Sequence, residues 1–244
     1  VREAWQILFN DIYVQVPKTA GILPTYRPKM GENSGRTKTN YSNKQLLLVW
    51  QNLLDASDLR RDALRLDVIS VGRQLLGNYF LTVKNEFDKM YQTKDLAALN
   101  MRASEMRELL VDIDKLTSYH DYTSLSKWIS DARGLSKDPV IQDYYAKNAR
   151  NLVTTWGGTL NDYASRAWSG LISDYYSIRW NMYIDAVLRA VESKTEFSQK
   201  ALDDAIKQFE DHWVSSNKQV ERKVEGDLMN YAHFLLNKYK TRLE

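Results

Sequence analysis

Apolar side chains recur every three or four residues along most of this chain, which is the spacing of one face of an α-helix. The pattern is present from the start, and it predicts an amphipathic helix over residues 1–14. The apolar positions of this N-terminal helix are Trp5, Leu8, Phe9, Ile12 and Tyr13.

Residues 15–42 interrupt the pattern. They contain three of the chain's four prolines and three of its ten glycines, and no helical period runs through them. A segment of this length without regular structure is uncommon in a compact domain, and it tends to be functional, disordered or laid on a second surface. We therefore expect this segment to be mobile unless another surface covers it.

From residue 43 onward the helical period is nearly continuous, and no alternation of apolar and polar residues indicates a strand. The chain is therefore predicted to be all-α, a single domain over residues 1–244. Residues 43–244 form an irregular bundle, so that the chain has about eight or nine helices and one long N-terminal loop. No fixed repeat recurs. The helices after the loop are predicted near residues 46–54, 58–93, 96–119, 125–129, 139–156, 160–192, 199–214 and 225–243.

Two of these helices have clear start signals. Asp138 and Pro139 are typical of an N-cap and a first helical position. Thr159 and Asp162 have the spacing of a capping box, and Gly157-Gly158 before them would end the preceding helix. The helix predicted over 160–192 is apolar almost all round, which is typical of a central helix. Trp168 is expected in its core.

Composition and charge exclude several classes of protein. The net charge is only +3, and Lys, Arg, Asp and Glu are mixed along every segment, which argues against a nucleic-acid partner. The absence of cysteine excludes disulfides, zinc–thiolate sites and cysteine nucleophiles. No apolar run approaches the ~20 residues that span a bilayer. No signal peptide opens the sequence, and we expect that it is part of a longer chain.

No motif in the sequence builds an active site, a metal site or a cofactor site. The three histidines, His120, His212 and His233, lack the spacing of helical metal ligands. Neither a P-loop nor a Gly-x-Ser-x-Gly elbow is present. One helix carries several carboxylates, for which a solvated polar face is the simplest prediction: Glu105, Glu108, Asp112 and Asp114.

Aromatic residues are the remaining signal, with 15 tyrosines and 7 tryptophans. Most are expected in the core, because these rings bury large apolar areas. Trp156 differs because it lies at the predicted end of a helix beside Gly157-Gly158. There its indole could stack on a sugar ring, although a structural role remains the alternative.

The stretch that contains Trp156 resembles a known family. "NARNLVTTWG" and "NDYASRAWSGLISDYYSIRW" are similar to the C-terminal helical domain of the α-N-acetylglucosaminidases, glycoside hydrolase family 89. "AWQILFNDIY", "YRPKM" and "RLDVISVGRQLLGNYF" resemble further parts of that domain. Two features depart from the family: Ile178 stands where proline is frequent, and the loop after Trp156 is short. The matching positions in the first two segments are Asn148, Arg150, Trp156, Gly157, Asp162, Tyr163, Ala164, Gly170, Leu171, Tyr175, Tyr176, Arg179 and Trp180; in the others they are Arg27, Pro28, Arg65, Asp67, Arg73 and Gln74.

The resemblance implies a multidomain enzyme of glycosaminoglycan degradation that removes terminal α-linked N-acetylglucosamine from glycans with retention. Two glutamates of a TIM-like barrel would act as nucleophile and acid/base, about 5 Å apart. Neither belongs to this chain, so no catalytic residue is predicted here and the chain alone is expected to be inactive. It would close one side of the sugar pocket beside the barrel, with residues 15–42 laid on the barrel. The implied substrate-binding residues are Trp156, Arg150, Tyr163 and Arg27.

The resemblance also implies a compartment outside the cytoplasm, either the bacterial periplasm or the extracellular space, with the lysosome as the alternative. Two other functions remain open at this point. The chain could be a free-standing helical module that binds a protein through its aromatic face, or a carbohydrate-binding module without a hydrolase.

Overall fold

The computed structural model describes residues 1–14, 21–31, 37–56, 61–156, 161–216 and 224–243. Within these ranges the chain forms nine α-helices and no strand, which confirms the prediction of an all-α irregular bundle. The helices are α1 (Arg2–Ile7), α2 (Asn43–Leu54), α3 (Asp62–Thr93), α4 (Leu96–Thr117), α5 (Leu125–Arg133), α6 (Pro139–Val153), α7 (Ser177–Glu192), α8 (Gln199–Ser215) and α9 (Leu228–Leu243).

The long helices α3 and α4 form the centre of the bundle. They pack antiparallel along one another, because Lys94 takes a left-handed conformation and Asp95 then caps the start of α4. The Asp95 carboxylate accepts a hydrogen bond from the Ala98 amide at 3.0 Å. Helices α2 and α9 cover one side of this pair, and α7 lies against α4.

Helix α2 approaches α3 closely at a glycine. The Trp50 ring is fully buried there, and its Nε1 donates to the Val68 carbonyl at 2.9 Å. A Cβ at Gly72 would lie only 2.5 Å from the Trp50 ring. A side chain at position 72 would therefore push the two helices apart.

The N-terminal helix differs from the predicted one. α1 ends at Ile7 and continues as a π-helical stretch over Leu8–Tyr13. Ala4 and Leu8 are buried, but the rings of Trp5, Phe9 and Tyr13 are exposed. The segment is helical as predicted, but three of its apolar positions do not face the core of the described chain.

The segment after α1 packs on the bundle more closely than we expected. Residues 15–20 and 32–36 lie outside the described part. In residues 21–31, a 3-10 turn over Leu23–Thr25 is buried, and Trp180 Nε1 donates to the Pro24 carbonyl at 2.9 Å. The Met30 amide donates to Gln199 Oε1 at 3.0 Å. Residues 21–31 thus contact the bundle itself, while the mobility of the segment in this chain and its contact with a barrel stay predictions.

The central helix begins much later than predicted. Residues 161–170 are not helical; a π-helical stretch over Ile172–Tyr176 precedes α7. The backbone at Asp162 and Ser165 is left-handed, with φ of 60° and 46°, which a helix cannot accommodate. Thr159 and Gly157-Gly158 lie outside the described residues. Asp162 belongs to no helix, so the predicted capping box is wrong, and α6 already ends at Val153.

A carboxylate from another helix sets the new start. Asp114 of α4 accepts hydrogen bonds from the amides of Gly170 and Ser173, at 2.9 and 3.0 Å. It therefore caps a helix that is remote in sequence. Trp168 consequently lies in the loop before this start, half-buried, and not in the core of a helix as predicted.

The carboxylates predicted on a solvated face are mostly buried. Glu105 and Asp112 are buried, and Asp114 is half-buried; only Glu108 has a largely exposed side chain. The helix α9 covers this face of α4, and its Lys238, Tyr239 and Arg242 bind the carboxylates. The prediction was wrong because α9 lies far away in the sequence.

Candidate functional site

A cleft lies at the ends of α5 and α6 and is closed by the loop 161–170. Its volume is about 600 Å³. Apolar groups form most of its surface, and its charged lining residues are Asp121, Lys127, Asp131 and Arg166. The residues that matter for its chemistry are Trp128, Leu152, Trp156, Ala164, Arg166 and Trp168.

Trp156 enters this cleft because the chain turns sharply after α6. Its amide donates to the Asn151 carbonyl at 2.8 Å, and its backbone φ is 36°. The Thr154 hydroxyl donates to the Arg150 carbonyl at 2.7 Å, which satisfies one of the last helical acceptors. The turn directs the indole away from the core and leaves it 40% exposed.

Tyr163 lies beside Trp156. The centroids of the two rings are 5.4 Å apart and their planes are inclined by 83°, so that the edge of one ring meets the face of the other. Tyr163 is 54% exposed. The two accessible rings, nearly at a right angle, therefore present an aromatic face and the Tyr163 hydroxyl side by side.

Trp128 and Trp168 form the second aromatic pair of the cleft, with centroids 5.8 Å apart. Trp128 Nε1 donates to the Ala149 carbonyl at 2.9 Å, which fixes α5 against α6. The Arg166 guanidinium lies 5.6 Å from the Trp168 ring. These side chains add ring faces and a positive charge to the surface that Trp156 begins.

A buried chain of alternating charges supports the loop beneath Tyr163. Arg179 Nη1 binds Asp162 Oδ1 at 2.9 Å and Glu210 Oε1 at 2.8 Å. Arg27 binds the same Glu210 through its Nε, at 3.1 Å, and through its Nη2. Burial raises the pKa of Asp162, and the Arg179 charge opposes that rise. The network thus fixes the residue next to Tyr163 to α7 and α8.

The structure brings three of the four predicted site residues to this region. Trp156 lines the cleft, and Tyr163 contacts Trp156 without being one of the lining residues. Arg27 reaches the same loop through Glu210 and, with the Asn161 amide oxygen turned towards it, through a 2.7 Å bond to Asn161. Arg150 instead is buried within α6, and burial lowers its pKa, as does the charge of Arg133.

Sequence reasoning missed Trp128, Trp168 and Arg166 as members of the cleft. Trp128 has the helical spacing of a core residue, and Trp168 was placed in a helix that does not exist at that position. No local signal indicates that these two rings, which are far apart in sequence, are in contact. Only the sharp turns at 154–156 and 161–170 bring them together.

The described part of the chain contains no group of three or more His, Asp or Glu side chains that could hold a metal ion. It also contains no helix both long and apolar enough to cross a membrane. The cleft offers ring faces, hydroxyls and charged groups, which are suited to binding a polar ligand with apolar faces.

Residues 1–238 match the family described as the alpha-N-acetylglucosaminidase (NAGLU) C-terminal domain. The chain belongs to this family. It is 26% identical to the human alpha-N-acetylglucosaminidase over 249 aligned residues, which cover 98% of the chain and 33% of the human protein. The resemblance inferred from the motifs around Trp156 is thereby confirmed.

The fold is also found in a solved enzyme. The family 89 glycoside hydrolase from Clostridium perfringens, in complex with PUGNAc, superimposes with a TM-score of 0.86 at 24% identity, over 97% of this chain and 29% of that one. The same enzyme bound to its substrate GlcNAc-alpha-1,4-galactose gives 0.86 at 23% identity, over 99% and 30%. The chain therefore spans about a third of the length of the proteins it matches.

Proposed function

We propose that this chain forms one side of the sugar pocket of a retaining glycoside hydrolase that removes terminal α-linked N-acetylglucosamine. The catalytic glutamates would belong to another domain of a longer protein. The observation that carries the proposal is the pair of exposed rings, Trp156 and Tyr163, that meet nearly at a right angle where Trp156 lines the aromatic cleft.

Sugar recognition suits this geometry. A pyranose ring has an apolar face that stacks on an aromatic ring and hydroxyl groups that need polar partners at its edge. Trp156 offers such a face, and Tyr163 offers a hydroxyl beside it. The substrate named for the Clostridium perfringens enzyme carries a terminal GlcNAc in α linkage, which supports the sugar class.

Arg27 and Arg150 take supporting positions in this proposal. Arg27 and Arg179 share Glu210, so Arg27 helps hold the loop that presents Tyr163. Arg150 lies in the last turns of α6, where its carbonyl accepts from Thr154 just before Trp156. Both would orient the aromatic pair, and Arg27, partly exposed, could also reach the ligand.

The proposal includes a partner domain and a compartment. A catalytic barrel would cover the open side of the cleft and contact residues 15–42, and the longer protein would work outside the cytoplasm. The chain alone should not hydrolyse an aryl α-N-acetylglucosaminide, because the two catalytic glutamates would belong to the barrel. Turnover by the pure chain would contradict the proposal.

The decisive experiment replaces Trp156 by alanine in a protein that joins this chain to its catalytic domain. Loss of one stacking surface should cost about 1–3 kcal/mol, by analogy with base stacking on aromatic side chains. This corresponds to a roughly ten- to hundredfold lower kcat/KM. Unfolding of the chain should change little, because the ring is 40% exposed.

Phe234→Ala is the matched control. Phe234 is 53% exposed, and it lies on α9, which packs on α2, α3 and α4 and not on the helices of the cleft. This variant should keep the original kcat/KM. Equal activity of the Trp156→Ala and Phe234→Ala proteins would show that Trp156 is an ordinary surface ring, and the proposal would then fail.

A further inference from the structure

A second, smaller cleft lies next to the aromatic one. Its volume is about 180 Å³, and it shares Tyr122, Arg166 and Trp168 with the larger cleft. Arg73 of α3 forms its inner side, together with Ser70 and Gln74 of the same helix. It is therefore a separate recess behind the ring pair, between α3 and the loop 161–170.

Two guanidinium groups face this recess, whereas Asp121 and Asp131 are among the described lining residues of the larger cleft only. None of the described residues that line it is Asp or Glu. In the described part of the chain, neither Arg73 nor Arg166 forms an ion pair with a carboxylate. Most other half-buried arginines of the bundle do so, for example Arg102 with Glu86 and Glu105.

The two charges oppose each other. Burial lowers the pKa of Arg73, and the charge of Arg166 lowers it further. Placing like charges together in a partly desolvated recess is unfavourable unless an anion joins them. The arginine fork is suited to an oxyanion, because it offers two parallel N–H donors to a carboxylate or sulfate group.

We propose that the recess between Arg73 and Arg166 is a binding site for a single oxyanion, a carboxylate or a sulfate group. The site adjoins the proposed sugar-binding surface, with which it shares Arg166 and Trp168. The ligand would enter from the side of the larger cleft, where Arg166 is exposed, and would be held innermost by Arg73.

Titration with inorganic sulfate and with acetate, at constant ionic strength kept with chloride, tests the site in this chain. The probe is the Nε–Hε resonance of each arginine in ¹H–¹⁵N spectra. Saturable shifts are expected for Arg73 and Arg166. Arg73→Gln and Arg166→Gln should each weaken binding roughly tenfold, which is what the loss of one charged hydrogen-bonding partner costs.

Arg189→Gln is the control, since Arg189 is an exposed arginine of α7 outside both clefts. It should leave the titration unchanged. Arg73→Gln should also fold with undiminished stability in chloride, because it removes repulsion and breaks no described ion pair. Should that variant not fold, Arg166→Gln carries the test alone, because its side chain is exposed.

The source of the anion is decided in a protein that includes the adjoining domain. If an acidic side chain of that domain fills the recess, sulfate no longer shifts Arg73 there; if the ligand is free in solution, the titration is the same in both proteins. Absence of saturable shifts in the chain alone, or equal binding by Arg73→Gln, would overturn the proposal. None of these readouts involves turnover, so this result is independent of the sugar-binding test.

Discussion

The bundle contains two groups of buried carboxylates that are stabilised in different ways. In the first, which we call the site cluster, Asp162 and Glu210 are neutralised by Arg179 and Arg27. In the second, the distal cluster, Asp112 accepts hydrogen bonds from Tyr231, Tyr239 and Lys238 at 2.8, 2.6 and 2.6 Å, and Glu105 accepts from Tyr79 at 2.5 Å. Among the described residues, arginines alone bind the carboxylates of the site cluster, whereas the distal cluster combines tyrosine hydroxyls with Lys238, Arg102 and Arg242.

The difference follows from what each cluster joins. The distal cluster connects α4 with α3 and α9, whose backbones already satisfy their own hydrogen bonds. The site cluster joins α7 and α8 to two irregular segments, residues 21–31 and 161–170, which have few backbone bonds of their own. Arginine carries a permanent charge and five N–H donors, which suits it to segments whose backbones lack regular hydrogen-bonding partners. Damage to the site cluster should therefore reach the cleft, whereas damage to the distal cluster should affect stability alone.

The largest effect is expected for Arg179→Met. Arg179 is fully buried, and without it Asp162 and Glu210 keep their charges in the interior with only Arg27 beside them. Removing one partner of a buried ion pair costs roughly 3–5 kcal/mol. Urea unfolding should show this loss. The indole N–H resonance of Trp156 should move as well, because the loop that holds Tyr163 loses its support.

A smaller and more local effect is expected for Asp112→Ala. Three donors lose their acceptor, but Lys238 can still bind Glu108, at 2.7 Å, and Tyr231 is partly exposed. The free energy of unfolding should fall by roughly 2–3 kcal/mol, since hydrogen bonds to charged groups contribute about 1.5–3 kcal/mol each and part of the loss is recovered. The Trp156 resonance should stay in place. A shift as large as that of Arg179→Met would refute the distinction between the clusters.

The regular helices could be predicted from the sequence, because their signals are local. The apolar period and the Asp138-Pro139 cap gave α6 its start, and the Asp138 carboxylate does accept from the Val140 amide at 2.9 Å. The apolar period wrongly predicted a helix over residues 161–170, and the cause is a set of contacts with residues remote in sequence. Apolar residues continue there at helical spacing, but Asp114 caps the chain at Gly170, and Asp162 turns to meet Arg179. Neither partner is visible in the local pattern.

The residues of the candidate site also fall into two groups, those that the sequence identifies and those that it does not. Trp156 could be identified from its place beside Gly157-Gly158, and Tyr163 from the resemblance to the family. Trp128, Trp168 and the buried Asp112 could not, because each depends on an element remote in sequence. An amphipathic helix shows which face is polar, but it does not show that another helix will cover that face with donors.

The smallest expected effect is the difference between two buried tyrosines, one in the distal cluster and one beside the site cluster. Tyr239 donates its hydroxyl to Asp112, whereas Tyr176 lies with its ring 5.0 Å from Arg179 and its hydroxyl has no hydrogen-bond partner among the described residues. Both side chains are fully buried. Tyr239→Phe should lower the free energy of unfolding by about 1.5 kcal/mol, the contribution of one hydrogen bond to a charged group. Tyr176→Phe keeps the ring beside the guanidinium and removes an unsatisfied polar atom, so stability should be unchanged or raised by up to about 1 kcal/mol. Denaturant midpoints measured side by side provide the comparison. Equal losses in the two variants would mean that Tyr176 also acts through its hydroxyl, and that tyrosine hydroxyls do not distinguish the distal cluster from the site cluster.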